Sequence, residues 1–146
     1  ESNMSAIGKR YANSVEYNAT IDTRNGILLD VKLSVAQDFG YSMSDDTSVV
    51  MALTLRQSCY ARVSEWMLTV NKLRTNAPSS TWCRGPGTTE GTAIVENLME
   101  HIARETNLDP AQVRLNNFGK QESLRRIFPD FLKDTGNKSG FTVSVR

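Results

Sequence analysis

Thr81-Trp82-Cys83-Arg84-Gly85-Pro86-Gly87-Thr88-Thr89-Glu90-Gly91 is the stretch on which the reading of this chain turns. It runs directly into the most regular amphipathic pattern in the sequence, which predicts a helix starting near Thr88 or Thr89. The core face of that helix is expected at Ile94, Leu98 and Ile102, with Val95 and Met99 flanking it. A threonine cap would satisfy one backbone N–H and contribute about 1 kcal/mol. Glu90 falls in the first turn, where a carboxylate complements the positive end of the helix dipole. A glycine-rich turn feeding a helix start also aims backbone N–H groups at one point, a geometry suited to an anion or an oxygen-rich cofactor.

Upstream of this stretch the pattern is that of strands. Val15, Tyr17, Ala19 and Ile21 alternate with polar residues and predict a half-buried strand. Asn25-Gly26 follows, a hairpin signal because both residues tolerate positive φ. The chain then returns over residues 27–39, with Leu29, Val31, Leu33 and Val35 assigned to one face. Residues 49–55 are nearly continuously apolar. Capped by Asp46 or Thr47 they form a short helix, and uncapped they read as a buried strand; the letters leave both open. Trp66, Leu68, Val70 and Leu73 predict a further strand.

Downstream the pattern is helical. The long helix is expected to end near Asn107. Asp109-Pro110 opens another, with aspartate as cap and proline at the first helical position, running to Asn117 and stopped by Phe118-Gly119. A third helix is expected over 121–128, broken by Pro129, and a short strand over 141–146. Strands followed by helices predict an α+β fold.

The chain has 146 residues, enough for one domain, and its 39% hydrophobic and 23% charged residues are those of a globular protein. A net charge of +1 gives no electrostatic case for nucleic acid or an anionic membrane. No apolar run is long enough to span a bilayer. Two cysteines, Cys59 and Cys83, and a single histidine, His101, make neither a C-x-x-C pair nor a metal-ligand cluster. We expect two reduced thiols and a cytoplasmic protein. Both ends of the sequence read as those of a fragment.

Each candidate for chemistry has a plainer counterpart. Gly85 and Gly87 flank Pro86, so the backbone can turn sharply and approach a ligand, yet on spacing alone a tight strand-to-helix connection is the simpler account. Arg84 is a side-chain or backbone ligand for an anion, or an ordinary structural arginine. Cys83 has no histidine placed to activate it, so a small buried residue is expected rather than a nucleophile. His101 lies one position off the core stripe and reads as a boundary residue. Asp45-Asp46 reads as a polar turn, and Glu96 with Glu100, like Arg125-Arg126, as the solvated face of a helix. No catalytic residue is assigned.

Taken together, residues 80–91, then Glu96-Asn97-Leu98-Met99-Glu100-His101-Ile102-Ala103, then Asp109-Pro110 and Val113-Arg114-Leu115-Asn116-Asn117, resemble the molybdenum-cofactor domain of the xanthine dehydrogenase/aldehyde oxidase family. Glu1-Ser2-Asn3-Met4-Ser5-Ala6-Ile7-Gly8-Lys9-Arg10-Tyr11 and Cys59-Tyr60 are similar to it as well. The wording Trp-Cys-Arg-Gly-Pro-Gly-Thr-Thr-Glu-Gly resembles insect aldehyde oxidases more than xanthine dehydrogenases. The resemblance implies a partial molybdopterin-binding domain over residues 1–134, with 135–146 a divergent tail. It also implies a parent enzyme that is a cytosolic homodimer carrying FAD, 2Fe–2S clusters and molybdopterin, and that hydroxylates its substrate with oxygen from water.

By the same resemblance Cys83, Arg84 and Gly85 contact the cofactor, Arg84 largely through its backbone amide. Pro86 stands where xanthine dehydrogenases stack a phenylalanine on substrate, and Cys83 replaces a second aromatic position. Met51 aligns near the arginine that orients purines, and it cannot donate a hydrogen bond. The expected substrate is therefore an aldehyde or an aromatic N-heterocycle. The family's glutamate base, flavin domain and cluster domains have no match here, so the expectation is a molybdenum-hydroxylase fragment that needs the remainder of its parent enzyme and is inactive alone. The alternative is a non-catalytic remnant that serves as a binding or dimerising module.

Overall fold

In the computed structural model, residues 9–43, 46–60, 65–119, 130–131 and 133–134 are described. The expected helix over 121–128, the strand over 141–146, Asp45 and Arg125-Arg126 lie outside them. The elements follow the order β1 (Ala12–Asp22), β2 (Ile27–Asp38), α1 (Ser48–Arg56), β3 (Glu65–Leu73), α2 (Thr88–Thr106) and α3 (Pro110–Asn117). The three strands form one sheet in the order β1-β2-β3. All three strands precede α2 and α3, with α1 between β2 and β3, and the architecture is α+β as the sequence predicts.

The described residues fall into two compact units. The first is drawn from Glu1–Asn18, Val31–Ser58 and Trp66–Val95, the second from Ala19–Asp30, Cys59–Glu65 and Glu96–Arg146. In the first, Tyr11, Val31, Leu33, Val35, Phe39, Met51, Leu55 and Val95 are buried. Tyr11 meets Phe39 edge to face, with ring centroids 4.8 Å apart. Ser80 is also buried, and its N–H donates to the Phe39 carbonyl at 3.0 Å, while the Thr81 N–H donates to the Lys9 carbonyl at 3.0 Å. Those bonds deliver the chain to the Cys83–Gly91 loop.

α1 is a helix and not the competing strand. Thr47 occupies the cap position, but its side chain makes no capping bond. Asp46 supplies it instead, its Oδ1 accepting from the Ser48 N–H at 2.9 Å and the Ser48 hydroxyl at 2.5 Å. The Thr47 hydroxyl turns to Gln37 Nε2 at 3.3 Å. Met51 and Leu55 are buried, one turn apart, while Val49 and Leu53 are exposed.

In the second unit, Leu28, Tyr60, Leu98, Met99, Ile102, Ala103, Val113 and Phe118 are buried. The side chain of Asn117, itself buried, binds three backbone groups. Its Oδ1 accepts the Leu28 N–H at 2.7 Å, and its Nδ2 donates to the carbonyls of Gly26 at 2.7 Å and Val113 at 2.8 Å. Leaving such buried backbone groups unpaired costs about 1–3 kcal/mol each. Tyr60 stacks on Phe118 at 5.7 Å and donates its hydroxyl to Glu96 at 2.8 Å. Burial, and then the neighbouring Glu96 carboxylate, push the Tyr60 phenol well above its ordinary value. Asp109 caps α3 as predicted, accepting the N–H groups of Ala111 at 2.8 Å and Gln112 at 3.1 Å.

Three expectations are corrected. The hairpin turn is not a two-residue Asn25-Gly26 turn. It occupies 23–26, the N–H groups of Asn25 and Gly26 both reach the Asp22 carbonyl, and of the two only Gly26 has positive φ. The Asp22 side chain, which accepts from the Arg24 N–H and the Asn25 side chain, favours this wider turn. Leu29 is not buried with Val31, although alternation puts the two on one face of the strand. Leu28 is buried and Leu29 is 47% exposed, because the inward parity of β2 changes between Leu28 and Val31, where its two halves serve separate cores. In α2 the buried stripe is Val95, Leu98, Met99, Ile102 and Ala103, with Ile94 half-buried at its edge.

Asp46 also ties α1 to β3 through an ion pair with Lys72 Nζ at 2.5 Å. The Lys72 ammonium, then the Ser48 hydroxyl, hold the Asp46 carboxyl down from its ordinary 3.8 to about 2. A carboxylate with a depressed folded value stabilises above its unfolded value and loses that contribution as pH falls through the folded one. Thermal denaturation scanned from pH 5 to pH 2 should therefore show a loss of stability between about pH 4 and pH 2 that is smaller in Asp46→Asn. Identical profiles for the two proteins would refute the linkage.

Candidate functional site

The loop that the sequence singles out is shaped by two left-handed glycines, Gly85 at φ +68° and Gly87 at φ +74°. An L-residue in that region is strained by roughly 1–2 kcal/mol. The two glycines differ in surroundings. A Cβ on Gly87 would lie 2.7 Å from the Thr47 carbonyl oxygen and 2.8 Å from the Met51 nitrogen, both main-chain atoms that cannot turn aside. Among the described residues, a Cβ on Gly85 would meet only the Thr89 hydroxyl, at 2.9 Å. Gly87 is thus the point where the loop rests on α1, and Gly85 is the point where it faces outward. Gly91 continues the contact, its Cβ position lying 3.1 Å from the Met51 carbonyl oxygen.

The carbonyls of this loop are anchored one after another. The Gly85 carbonyl accepts from both the Thr89 N–H at 3.2 Å and the Thr89 hydroxyl at 3.1 Å. The Gly87 carbonyl accepts the Gly91 N–H at 2.9 Å. The Arg84 carbonyl accepts from Arg10 Nη2. This corrects the expected threonine cap: the Thr89 hydroxyl donates backward to a carbonyl instead of accepting an N–H.

Arg10 is the element that sequence reasoning missed. Besides Arg84, its guanidinium reaches Glu90 Oε1 at 3.2 Å. The Glu90 side chain is only 8% exposed, and its second oxygen, Oε2, is buried with no hydrogen-bond partner among the described residues. Glu90 therefore does more than complement a helix dipole. The separations in sequence, 74 residues to Arg84 and 80 to Glu90, are why no local pattern announced the contact.

The predicted site residues are distributed as follows. Cys83, Gly85 and Pro86 are half-buried and Arg84 is exposed; Trp82 beside them is 53% exposed. Cys83 is thus less enclosed than the small buried residue expected. Met51 is fully buried in α1, and its main chain lies against Gly87 and Gly91. His101 is exposed. Glu96 and Glu100 are not simply a solvated face: Arg114 bridges them at 2.9 and 2.7 Å. No His/Cys/Asp/Glu group suited to a metal ion occurs among the described residues, and no described helix is long and apolar enough to cross a membrane. A shallow depression on the sheet, with Tyr17, Lys32, Leu33 and Met67 in its walls, includes none of the loop residues.

The loop is shaped by glycines, the carbonyls of Arg84, Gly85 and Gly87 are tied back, and it feeds directly into the first turn of α2. Residues 1–118 match the family of molybdopterin cofactor-binding domains, and the chain belongs to that family, of the aldehyde oxidase and xanthine dehydrogenase type. Among similar proteins, aldehyde oxidase 4 of Arabidopsis thaliana is 28% identical over 131 residues, 88% of this chain and 9% of that protein. Xanthine dehydrogenase 1 of the same plant is 28% identical over 102 residues, 70% of this chain and 8% of that protein. The chain thus spans about a tenth or less of the length of these relatives. The same fold occurs in the aldehyde oxidoreductase of Desulfovibrio desulfuricans ATCC 27774, with a TM-score of 0.72 and 20% identity over 91% of this chain and 16% of that one. CO dehydrogenase from Oligotropha carboxidovorans gives a TM-score of 0.72 at 18% identity over 95% of this chain and 19% of that one.

The different surroundings of the two loop glycines give a direct test. Gly87→Ala combines left-handed strain with a clash against main chain and should cost about 2–4 kcal/mol. Gly85→Ala carries the strain and one contact with a rotatable hydroxyl, and should cost about 1–2 kcal/mol. Equal losses on chemical denaturation would show that the loop does not rest on α1 at Gly87.

Proposed function

We propose that this chain is the part of a molybdenum hydroxylase that holds one side of its molybdopterin, with Cys83, Arg84 and Gly85 as the cofactor-facing residues. The observation that carries the reading is the Arg84–Gly87 turn, with the carbonyls of Arg84, Gly85 and Gly87 tied back and, among the described residues, only the rotatable Thr89 hydroxyl against the Gly85 Cβ position. The residues fit the group. Gly85 has no side chain of its own to cover its main chain, and such amides suit the phosphate and oxygen acceptors of a molybdopterin. When bound, the cofactor supplies the metal centre for hydroxylating a substrate carbon with oxygen from water.

This chain's own contribution is binding and positioning. Main-chain donors around Arg84 and Gly85 orient the group, and the start of α2 adds the positive end of its dipole. Pro86 offers no hydrogen-bond donor to a substrate, and the Met51 side chain, buried in α1, offers none either. That favours an aldehyde or an aromatic N-heterocycle over a purine, whose polar edge would go unmatched. The general base, the flavin and the 2Fe–2S clusters belong to the remainder of the parent enzyme, a homodimer in this reading. The isolated chain is accordingly inactive.

The test is cofactor content. The full-length polypeptide carrying this segment should purify with molybdenum and a pterin, read by elemental analysis and by fluorescence of the oxidised pterin. Gly85→Val in that polypeptide should lose at least about tenfold of both, while circular dichroism stays that of the folded protein. Wild-type polypeptide free of pterin would overturn the proposal. In the loaded enzyme, kcat/KM for an aromatic aldehyde should exceed that for xanthine by about 100-fold or more, and the reverse order would remove the substrate assignment.

A further inference from the structure

The Arg10 guanidinium sits at the hinge of the loop and makes two different bonds, an ion pair to Glu90 in the first turn of α2 and a hydrogen bond to the Arg84 carbonyl. The second bond has a consequence fixed by covalent geometry. The Arg84–Gly85 peptide is planar, and it is trans like every described peptide bond, so its carbonyl and its N–H point in opposite directions. Holding the carbonyl toward Arg10 aims the Gly85 N–H away from Arg10. Gly85 itself cannot set that direction, because a glycine at φ +68° has no side chain to restrict its rotation. The peptide plane is set from outside.

The first bond settles a charge conflict. Glu90 lies in the first turn of α2, and its side chain is about nine-tenths buried. A lone carboxylate there would oppose an anion at the same helix start. Arg10 neutralises it, and Glu90 in turn restrains the long arginine side chain. With Oε2 buried and unpartnered, Oε1 and its bond to Arg10 are the described means by which this carboxylate is compensated.

We propose that Arg10 is a positioning residue for the cofactor cradle: clamped by Glu90, it orients the Arg84–Gly85 peptide so that the Gly85 amide donates to the bound molybdopterin. This deepens the function proposed above and rests on it. Arginine suits the task because its planar fork serves two acceptors at once, which a lysine ammonium on a single stem does less well.

The test uses the full-length polypeptide with three substitutions and two readouts, thermal midpoint and retention of pterin and molybdenum during dialysis. Arg10→Lys keeps the ion pair with Glu90 but loses the second bond. It should melt close to wild type and release the cofactor about 10- to 100-fold faster. Arg10→Met with Glu90→Gln removes the charge conflict and the clamp together. It should stay folded and release the cofactor as fast as or faster than Arg10→Lys. Glu90→Gln alone leaves Arg10 able to reach the Arg84 carbonyl and should release it more slowly than either. Cofactor retention at the wild-type rate in both Arg10 variants would overturn the proposal, as would loss that merely tracks the fall in melting temperature across the series. If the wild type holds no pterin, the cofactor reading itself fails and this inference with it, an outcome separate from equal retention in all variants.

Discussion

The geometry of the loop depends on the absence of a side chain at Gly87. With only 2.7 Å between a Cβ there and the Thr47 carbonyl oxygen, the chain passes α1 at a distance that only glycine allows. That approach fixes where α2 begins, since the Gly87 carbonyl takes the Gly91 N–H and Gly91 in turn lies against Met51 and Thr54. Once the helix start is fixed, Thr89 can tie back the Gly85 carbonyl and Glu90 can meet Arg10. The buried face of α1, Met51 and Leu55, is therefore as much a foundation of the loop as a part of the core. Asp46, which closes the N-terminal end of α1 and pairs with Lys72, holds that foundation to the sheet.

The second unit solves a comparable problem with a polar side chain. Asn117 spends both ends of its amide on main chain, reaching the Leu28 N–H and the Gly26 carbonyl from the end of α3. A buried amide carries a desolvation cost, and it is tolerated here because donor and acceptor are both used. The neighbouring Asn116 adds a bond to the Asn25 carbonyl at 2.7 Å, so the hairpin turn is held by two consecutive residues of one helix. Arg114, earlier on the same helix, joins Glu96 and Glu100 on α2. This arrangement makes the Glu96/Glu100 spacing a docking feature and not merely a wet surface.

The local signals were legible to different degrees. Asp109-Pro110 and Phe118-Gly119 marked α3 correctly because capping chemistry is encoded within a few residues. The α1 segment stayed ambiguous because Val49 and Leu53 are apolar yet exposed, which hides the helical period behind a continuous apolar run. Leu29 is exposed for a related reason: burial of every second residue along β2 assumes one core, and the strand serves two. At the site, the glycines and the helix start could be read from the letters, and the resemblance gave them a ligand. Arg10, by contrast, carries no local signature of its task, since an arginine before a strand is an ordinary surface residue until its partners 74 and 80 positions away are known.

That distance shows what kind of object the cradle is. Its glycines and its helix start are contiguous in sequence, and a short peptide would contain them all. Its orientation is not contiguous. The path of the chain into the loop is set by Thr81 on Lys9 and Ser80 on Phe39, its floor by Thr47 and Met51, and its outer peptide by Arg10. Each of these contacts closes a large loop and must overcome the entropy of doing so. A peptide spanning Thr81 to Gly91 would keep the glycines but lose the distant contacts that fix their turn. The conformation of the loop is therefore set less by its glycine-rich letters than by the distant residues that stop those glycines from turning.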